Sequence, residues 1–224
     1  MTFAGFDSDA FAFYDELEAH NTREWWLAHK SRYDEHVRGP VAALVDELGA
    51  EFGAIKIFRP NRDVRFSADK SPYKTQVSFV TQSTTGAAHY LQLSSEGVMI
   101  AGGYYQPASD QLGRFRALVD DNRLAGDLEA TLEEAGEGGF EVFDSDALVT
   151  APRGFSVDHP RIDLLRLRNL AIRRTHRRDE EWLTQPVALE RIRQAWRTVS
   201  IWNEWLAENV GPSVNPPRSG PGAR

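Results

Sequence analysis

Apolar positions repeat at two different spacings along the chain. Helical spacing is found over residues 9–20, 40–53, 107–135 and 187–208. A further helix is predicted to begin near Asn21, because Asn21 and Glu24 have the spacing of a capping box. Between residues 75 and 104 the period changes to that of β-strands, in three stretches separated by short connections that contain glycine. This order predicts an antiparallel meander flanked by helices.

The fold class predicted from this order is α+β, with helices packed on a mainly antiparallel β-sheet in a single domain. Hydrophobic residues make up 41% of the 224 positions and charged residues 26%, which is typical of a folded globular protein. The domain is predicted to cover residues 1–210. Residues 211–224 are rich in Pro, Gly and Ser and are predicted to form a disordered tail. Residues 140–143 and 147–149 are expected to add edge strands.

Charge and composition exclude several classes of protein. The net charge is −7, which argues against nucleic acid as the partner of the whole surface. Cysteine is absent, so disulfide frameworks and thiolate chemistry are excluded. The acidic first 20 residues do not resemble a signal peptide, and no run of about 18 apolar residues could span a membrane. We therefore expect a cytoplasmic protein with no membrane association.

The candidate chemistry is concentrated in residues 59–74. Residues 56–75 carry six cations against two carboxylates, and three of the four lysines of the chain lie among them. Arginine forks and mobile lysines together suit an oxyanion. The predicted partner is therefore a small anionic ligand, such as a phosphate, a nucleotide or a carboxylate, which the chain binds or turns over. The predicted ligand-binding residues are Arg62, Arg65, Lys70 and Lys74. The predicted catalytic residues are Asp63, Asp69 and Tyr73.

Two other interpretations of the charged segments stay open. In a purely structural loop, Asp63 would pair with Arg62 or Arg65, and Ser67 and Asp69 would build a turn. Alternatively, residues 161–178, with seven arginines and one aspartate, could make the chain a non-catalytic interaction module. Those arginines, together with exposed tryptophans, would then hold an acidic protein partner.

The run R-D-V-R-F-S-A-D-K-S-P-Y-K over residues 62–74 resembles the signature of the uncharacterised family known as domain of unknown function 2461. The stretch 13–33 and the later P-R-G-F over 152–155 are similar to flanking parts of the same family. The resemblance implies one family domain over about residues 3–210. It implies no activity and no catalytic residues, because none are established for the family.

No metal site is predicted, and the common nucleotide, esterase and metalloprotease motifs are absent. His29 and His36 are separated by two helical turns and neither has a partner carboxylate at metal-binding spacing. The chain lacks a glycine-rich phosphate loop, a Gly-x-Ser-x-Gly elbow and a His-Glu-x-x-His motif. The identity of the ligand, any cofactor and the oligomeric state are left undetermined by the sequence.

Overall fold

The computed structural model describes residues 2–65 and 68–215. The helices in chain order are α1 (Ser8–Ala19), α2 (Arg23–Arg32), α3 (Gly39–Phe52), α4 (Ser109–Asp120), α5 (Ala125–Glu137), α6 (Ile162–Leu165) and α7 (Val187–Asn209). The strands are β1 (Ile55–Ile57), β2 (Gln76–Thr81), β3 (Ala88–Ser94), β4 (Gly97–Tyr104), β5 (Glu141–Val142) and β6 (Leu170–Arg177). Within the described residues they form a six-stranded sheet in the order β1-β2-β3-β4-β6-β5. The predicted α+β class and antiparallel sheet are therefore confirmed.

The chain divides into two compact units. The first unit comprises Met1–Gln82, His89–Ala101 and Arg174–Arg197. The second unit comprises Ser83–Ala88, Gly102–Arg173 and Thr198–Arg224. A single domain that ends at residue 210 stays a prediction.

The helices of the first unit pack around aromatic side chains. Phe13 of α1 is fully buried, and its ring lies edge-on to that of Trp26 of α2 at 5.9 Å between centroids. The predicted cap of α2 was wrong, because the N-cap is Thr22, whose hydroxyl accepts from the backbone N–H of Trp25 at 3.2 Å. Asn21 is instead bonded to a segment far along the chain.

The helical backbone continues from α2 into α3 through a π-helical turn at Tyr33–Arg38. The backbone N–H of Gly39 donates to the carbonyl of Asp34 in this turn. Pro40 follows in the first turn of α3, where its missing N–H is tolerated. The wider turn thus carries the helix past a proline that would disrupt regular α-helical bonding.

Strands β2 and β3 form the centre of the first unit's core. Phe79 pairs with Leu91 across the two strands, and both side chains are fully buried. The buried ring of Trp196 of α7 lies 5.9 Å from Phe79 and 5.2 Å from His89. Phe79 and Leu91 therefore share the apolar face that the sequence pattern of the two strands predicts.

In the second unit, two stacked tryptophans of α7 connect helix and sheet. The rings of Trp202 and Trp205 are parallel at 5.4 Å. The indole N–H of Trp202 donates to the carbonyl of Leu170, and that of Trp205 donates to the carboxylate of Asp127 at 2.7 Å. Both polar atoms of the indoles are thus satisfied, as buried tryptophans require.

Helix α7 is amphipathic, as predicted. Ile192, Trp196, Val199 and Trp202 are buried, whereas Arg197 and Ile201 on other faces are exposed. Among the described residues, no helix combines the length and the apolar composition needed to cross a bilayer.

Two predictions concern the second unit: a strand at residues 147–149 and a disordered tail from residue 211. Residues 147–149 form no strand, although the N–H of Leu148 donates to the carbonyl of Arg166 at 2.8 Å. Residues 211–215 of the predicted tail are bonded to α4: the carboxylate of Asp110 accepts from the N–H of Val214 at 2.9 Å and from the amide of Asn215 at 2.9 Å. The rest of the predicted tail lies outside the described residues.

Candidate functional site

The predicted site segment leaves β1 and returns to β2 through a narrow base. Asn61 and Tyr73 form an antiparallel bridge. The N–H of Arg62 donates to the carbonyl of Pro72 at 2.9 Å, and the N–H of Lys74 donates to the carbonyl of Pro60 at 2.8 Å. The two ends of the segment are therefore held side by side, which brings residues 59–62 next to residues 72–74.

Asn21 fixes this base to the helices of the first unit. Its amide nitrogen donates to the carbonyl of Tyr73 at 2.9 Å, and its amide oxygen accepts from the N–H of Tyr73 at 3.1 Å. The buried ring of Tyr73 stacks on Trp26 at 4.2 Å between centroids, with an angle of 11° between the planes. Tyr73 is thus an anchor of the segment.

The charged residues at the outer part of the segment largely bind each other. The guanidinium of Arg65 donates to both carboxylate oxygens of Asp63, at 2.9 and 2.6 Å, and the Lys70 ammonium donates to the carbonyl of Val64 at 3.0 Å. Arg62 is paired with Asp69. Ser67, which the structural-loop interpretation places in a turn with Asp69, lies outside the described residues.

These pairs keep the two carboxylates ionised. The side chain and backbone N–H of Arg65 lower the pKa of Asp63 to about 2. Hydrogen bonds from Ser71, followed by the one from Arg62, lower the pKa of Asp69 to about 2. A carboxylate with such a low pKa and occupied oxygens is a weak general base near neutral pH.

Lys74 is in a different position from Lys70. It is half-buried, and its ammonium lies over the ring of Phe58 at 5.2 Å, while that of Lys56 lies over the same ring at 5.8 Å. Burial, followed by the positive charges of Arg59 and Arg62, lowers the pKa of Lys74. In the part of the chain that the structure describes, neither Lys74 nor Arg59 pairs with a carboxylate.

A cavity of about 330 Å³ opens beside Lys74. Of the seven predicted site residues, it is lined by Arg62, Asp63, Asp69 and Lys74. Arg65, Lys70 and Tyr73 do not line it. The structure also places Arg59, Lys56 and Phe58 near Lys74. Of these, Lys56 and Arg59 belong to the excess of cations that the sequence shows over residues 56–75.

The arginine-rich stretch 161–178 is mostly engaged in contacts. In the second unit, the guanidinium of Arg161 donates to the carbonyl of Val119 at 2.7 Å, and that of Arg173 donates to Glu141 at 2.9 Å. In the first unit, Arg178 is paired with Asp15. Five of the six tryptophans are buried and Trp25 is partly so. These arginines therefore bind neighbouring carbonyls and acids of the same chain, which leaves fewer of their N–H groups for an acidic partner.

Comparison with known proteins gives one informative match. Among curated proteins and among solved structures, no significant match was found. A model of the family described as "Conserved hypothetical protein (DUF2461)" matches residues 9–205, which include the helices of the first unit, the segment 59–74 and most of α7. The chain therefore belongs to the DUF2461 family.

Proposed function

We propose that the chain binds a small oxyanion, such as a phosphate, a nucleotide or a carboxylate, beside Lys74. The observation that supports the proposal is a partly buried ammonium that has two arginines near it and no carboxylate partner among the described residues. Clustered like charges repel one another, and burial increases this cost. A bound anion would offset this repulsion and raise the pKa of Lys74.

The neighbouring groups suit an anion of modest size. The guanidinium of Arg62 uses one nitrogen for Asp69 and has further N–H groups for a ligand oxygen. The cavity of about 330 Å³ is at the lower end of the range for small-molecule sites. The ligand would thus contact Arg62 and Lys74 directly, with Arg59 adding long-range attraction.

Binding has more support than turnover. Asp63 and Asp69 are bonded to arginines at a pKa of about 2, so neither is suited to take a proton from a substrate near pH 7. The ring of Tyr73 is buried against Trp26. Proton transfer by Asp63, Asp69 or Tyr73 stays a prediction without a supporting contact.

The test compares two lysines of the same segment. Lys74→Gln is expected to weaken the affinity for inorganic phosphate or for adenosine monophosphate by about tenfold or more, since a hydrogen bond to a charged group contributes about 1.5–3 kcal/mol. Lys70→Gln removes the same charge from a residue bonded to the Val64 carbonyl, and should change the affinity by less than about twofold.

Affinity is measured by calorimetric titration, and thermal unfolding reports stabilisation of the wild-type chain by the same anions. Equal losses in the two variants would point to general electrostatic attraction and would reject a site at Lys74. Absence of phosphate, nucleotide and acetate binding to the wild-type chain would reject anion binding altogether.

A further inference from the structure

The second unit contains a cleft of about 930 Å³ that is separate from the residues of the proposed anion site. Its walls come from the β2–β3 connection at 83–86, the turn and first residues of α4 at 104–112, residues 168–169 before β6, and residues 212–215. All of these belong to the second unit. The volume lies near the upper end of the range for small-molecule sites, so an extended ligand would fit.

A strained turn forms one wall. Among the described residues, Gln106 is the one non-glycine residue with a positive φ, at 55°. Such a conformation costs about 1 kcal/mol or more for a residue with a side chain, and is frequent at ligand sites. The backbone N–H of Gln106 donates to the side-chain oxygen of Asn169 at 2.7 Å, and this bond holds the turn in place.

Asn169 is the strongest single indication of a ligand. The residue is only 2% exposed and lines the cleft, and its amide nitrogen makes no hydrogen bond within the described residues but is not sealed from solvent. This N–H is therefore open to the cleft and available to a bound group. A ligand hydroxyl or carbonyl in the cleft would supply the missing acceptor.

An exposed aromatic ring borders the same turn. Tyr105 is 71% exposed, whereas the adjacent Tyr104 is buried and donates its hydroxyl to the carbonyl of Gly211 at 3.1 Å. An exposed tyrosine presents a flat apolar face next to a polar tip. The C–H face of a sugar ring matches such a surface.

The polar groups that remain available in the cleft are nearly neutral as a set. Ser83 and Gln111 are bonded within the protein. The lining side chains with an unused polar group among the described residues include Thr84, Gln106, Ser109, Asp146, Arg168 and Asn169. One of these is a cation and one is an anion, so the cleft does not favour a ligand with net charge. Amides, hydroxyls and charged side chains of both signs can bind vicinal hydroxyls in donor and acceptor roles.

We propose that this cleft binds a neutral oligosaccharide. One sugar ring stacks on Tyr105, and the amide nitrogen of Asn169 donates to a ring or hydroxyl oxygen. Arg168 and Asp146 bind hydroxyl groups of neighbouring sugars. The proposal is independent of the anion site, because it uses none of its residues.

The experiment is a calorimetric titration of the full chain with maltopentaose, cellopentaose and chitopentaose, and with a pentamer of galacturonic acid as the charged comparison. At least one neutral pentamer is expected to bind. Tyr105→Ala should weaken that binding by about fivefold to tenfold, and Tyr105→Phe by less than about twofold, because the ring carries the stacking. Leu27→Ala, at a site 61% exposed in the first unit, is the control and should leave binding unchanged.

Three results would overturn the proposal. The first is that no neutral pentamer binds at any concentration up to about 10 mM. The second is equal affinity of the wild-type chain and Tyr105→Ala for a neutral pentamer. The third is binding of the acidic pentamer alone, which would assign the cleft to charged ligands through Arg168.

Discussion

Asn21 shows how one side chain can organise a charged segment. Its amide binds both the N–H and the carbonyl of Tyr73, much as the edge of a neighbouring strand would. The two hydrogen bonds hold Tyr73 where its ring stacks on Trp26. Lys74 follows directly in the chain, so the position of its ammonium depends on this contact.

Asn21→Ala is expected to lower the free energy of unfolding by about 1–3 kcal/mol, because two hydrogen bonds of about 0.5–1.5 kcal/mol each are lost. Urea denaturation measures the change. Asn209→Ala is the control, because it removes a single hydrogen bond, to the carbonyl of Trp205 at the end of α7. It should lower the free energy of unfolding by less than Asn21→Ala does. A loss in Asn21→Ala no larger than in the control would contradict the anchoring role.

At the scale of elements, the end of β4 requires two glycines. Within the second unit Gly102 lies against α7 and the start of β3, and Gly103, with a φ of +122°, lies against α7 and β6. A Cβ at Gly103 would lie 2.8 Å from the Cα of Ala171 and 2.9 Å from the indole nitrogen of Trp202, and closer still to the carbonyl of Leu170. The strand and the helix can approach each other only because no side chain is present.

Gly103→Ala should lower the free energy of unfolding by about 3 kcal/mol or more, since backbone strain adds to the overpacking. Gly113→Ala on the exposed face of α4 is the matched control. Its Cβ would meet nothing within 4 Å, so it should raise stability by about 0.5–1 kcal/mol. Chemical denaturation of both variants gives the comparison, and similar stabilities would disprove close packing at the end of β4.

At the scale of the whole molecule, a half-buried histidine links stability to pH. His89 packs against Phe52 and Trp196, and burial lowers its pKa to about 4. In the unfolded chain the pKa would be about 6.5. The unfolded state therefore binds more protons than the folded state between these two values. The stability contributed by neutral His89 is complete above pH 6.5 and is lost as the pH falls towards 4.

The gap between the two pKa values corresponds to about 3 kcal/mol. His89→Gln is expected to reduce the loss of stability between pH 6.5 and 4 by about this amount, as measured by urea unfolding at several pH values. Burial also lowers the pKa of His176, so the stability of the variant should still fall with pH, but less steeply. His20→Gln changes an exposed histidine and serves as the control. An unchanged slope in His89→Gln would show that His89 is accessible to protons in the folded state.

The sequence by itself determined most of the helices, strands β2 to β4, the fold class and the family. Helical spacing predicted α1 and α7, and alternation predicted β2 to β4, because burial of one face imposes a period on neighbouring residues. The run at residues 62–74 was sufficient to suggest the family, which the match over residues 9–205 confirms. Local charge also located the segment in which the candidate site lies.

Only the tertiary structure decided the partner of each charged residue. Spacing permitted Asp63 to bind Arg62 or Arg65, and the fold selects Arg65. It also brings Asn21 to Tyr73 across 52 positions of the chain, and leaves Lys74, but not Lys70, in a cationic environment. Hydrogen bonds and charge interactions act over a few ångströms in space. The partner of a side chain therefore depends on where the chain returns, and a pattern of neighbouring residues does not contain that information.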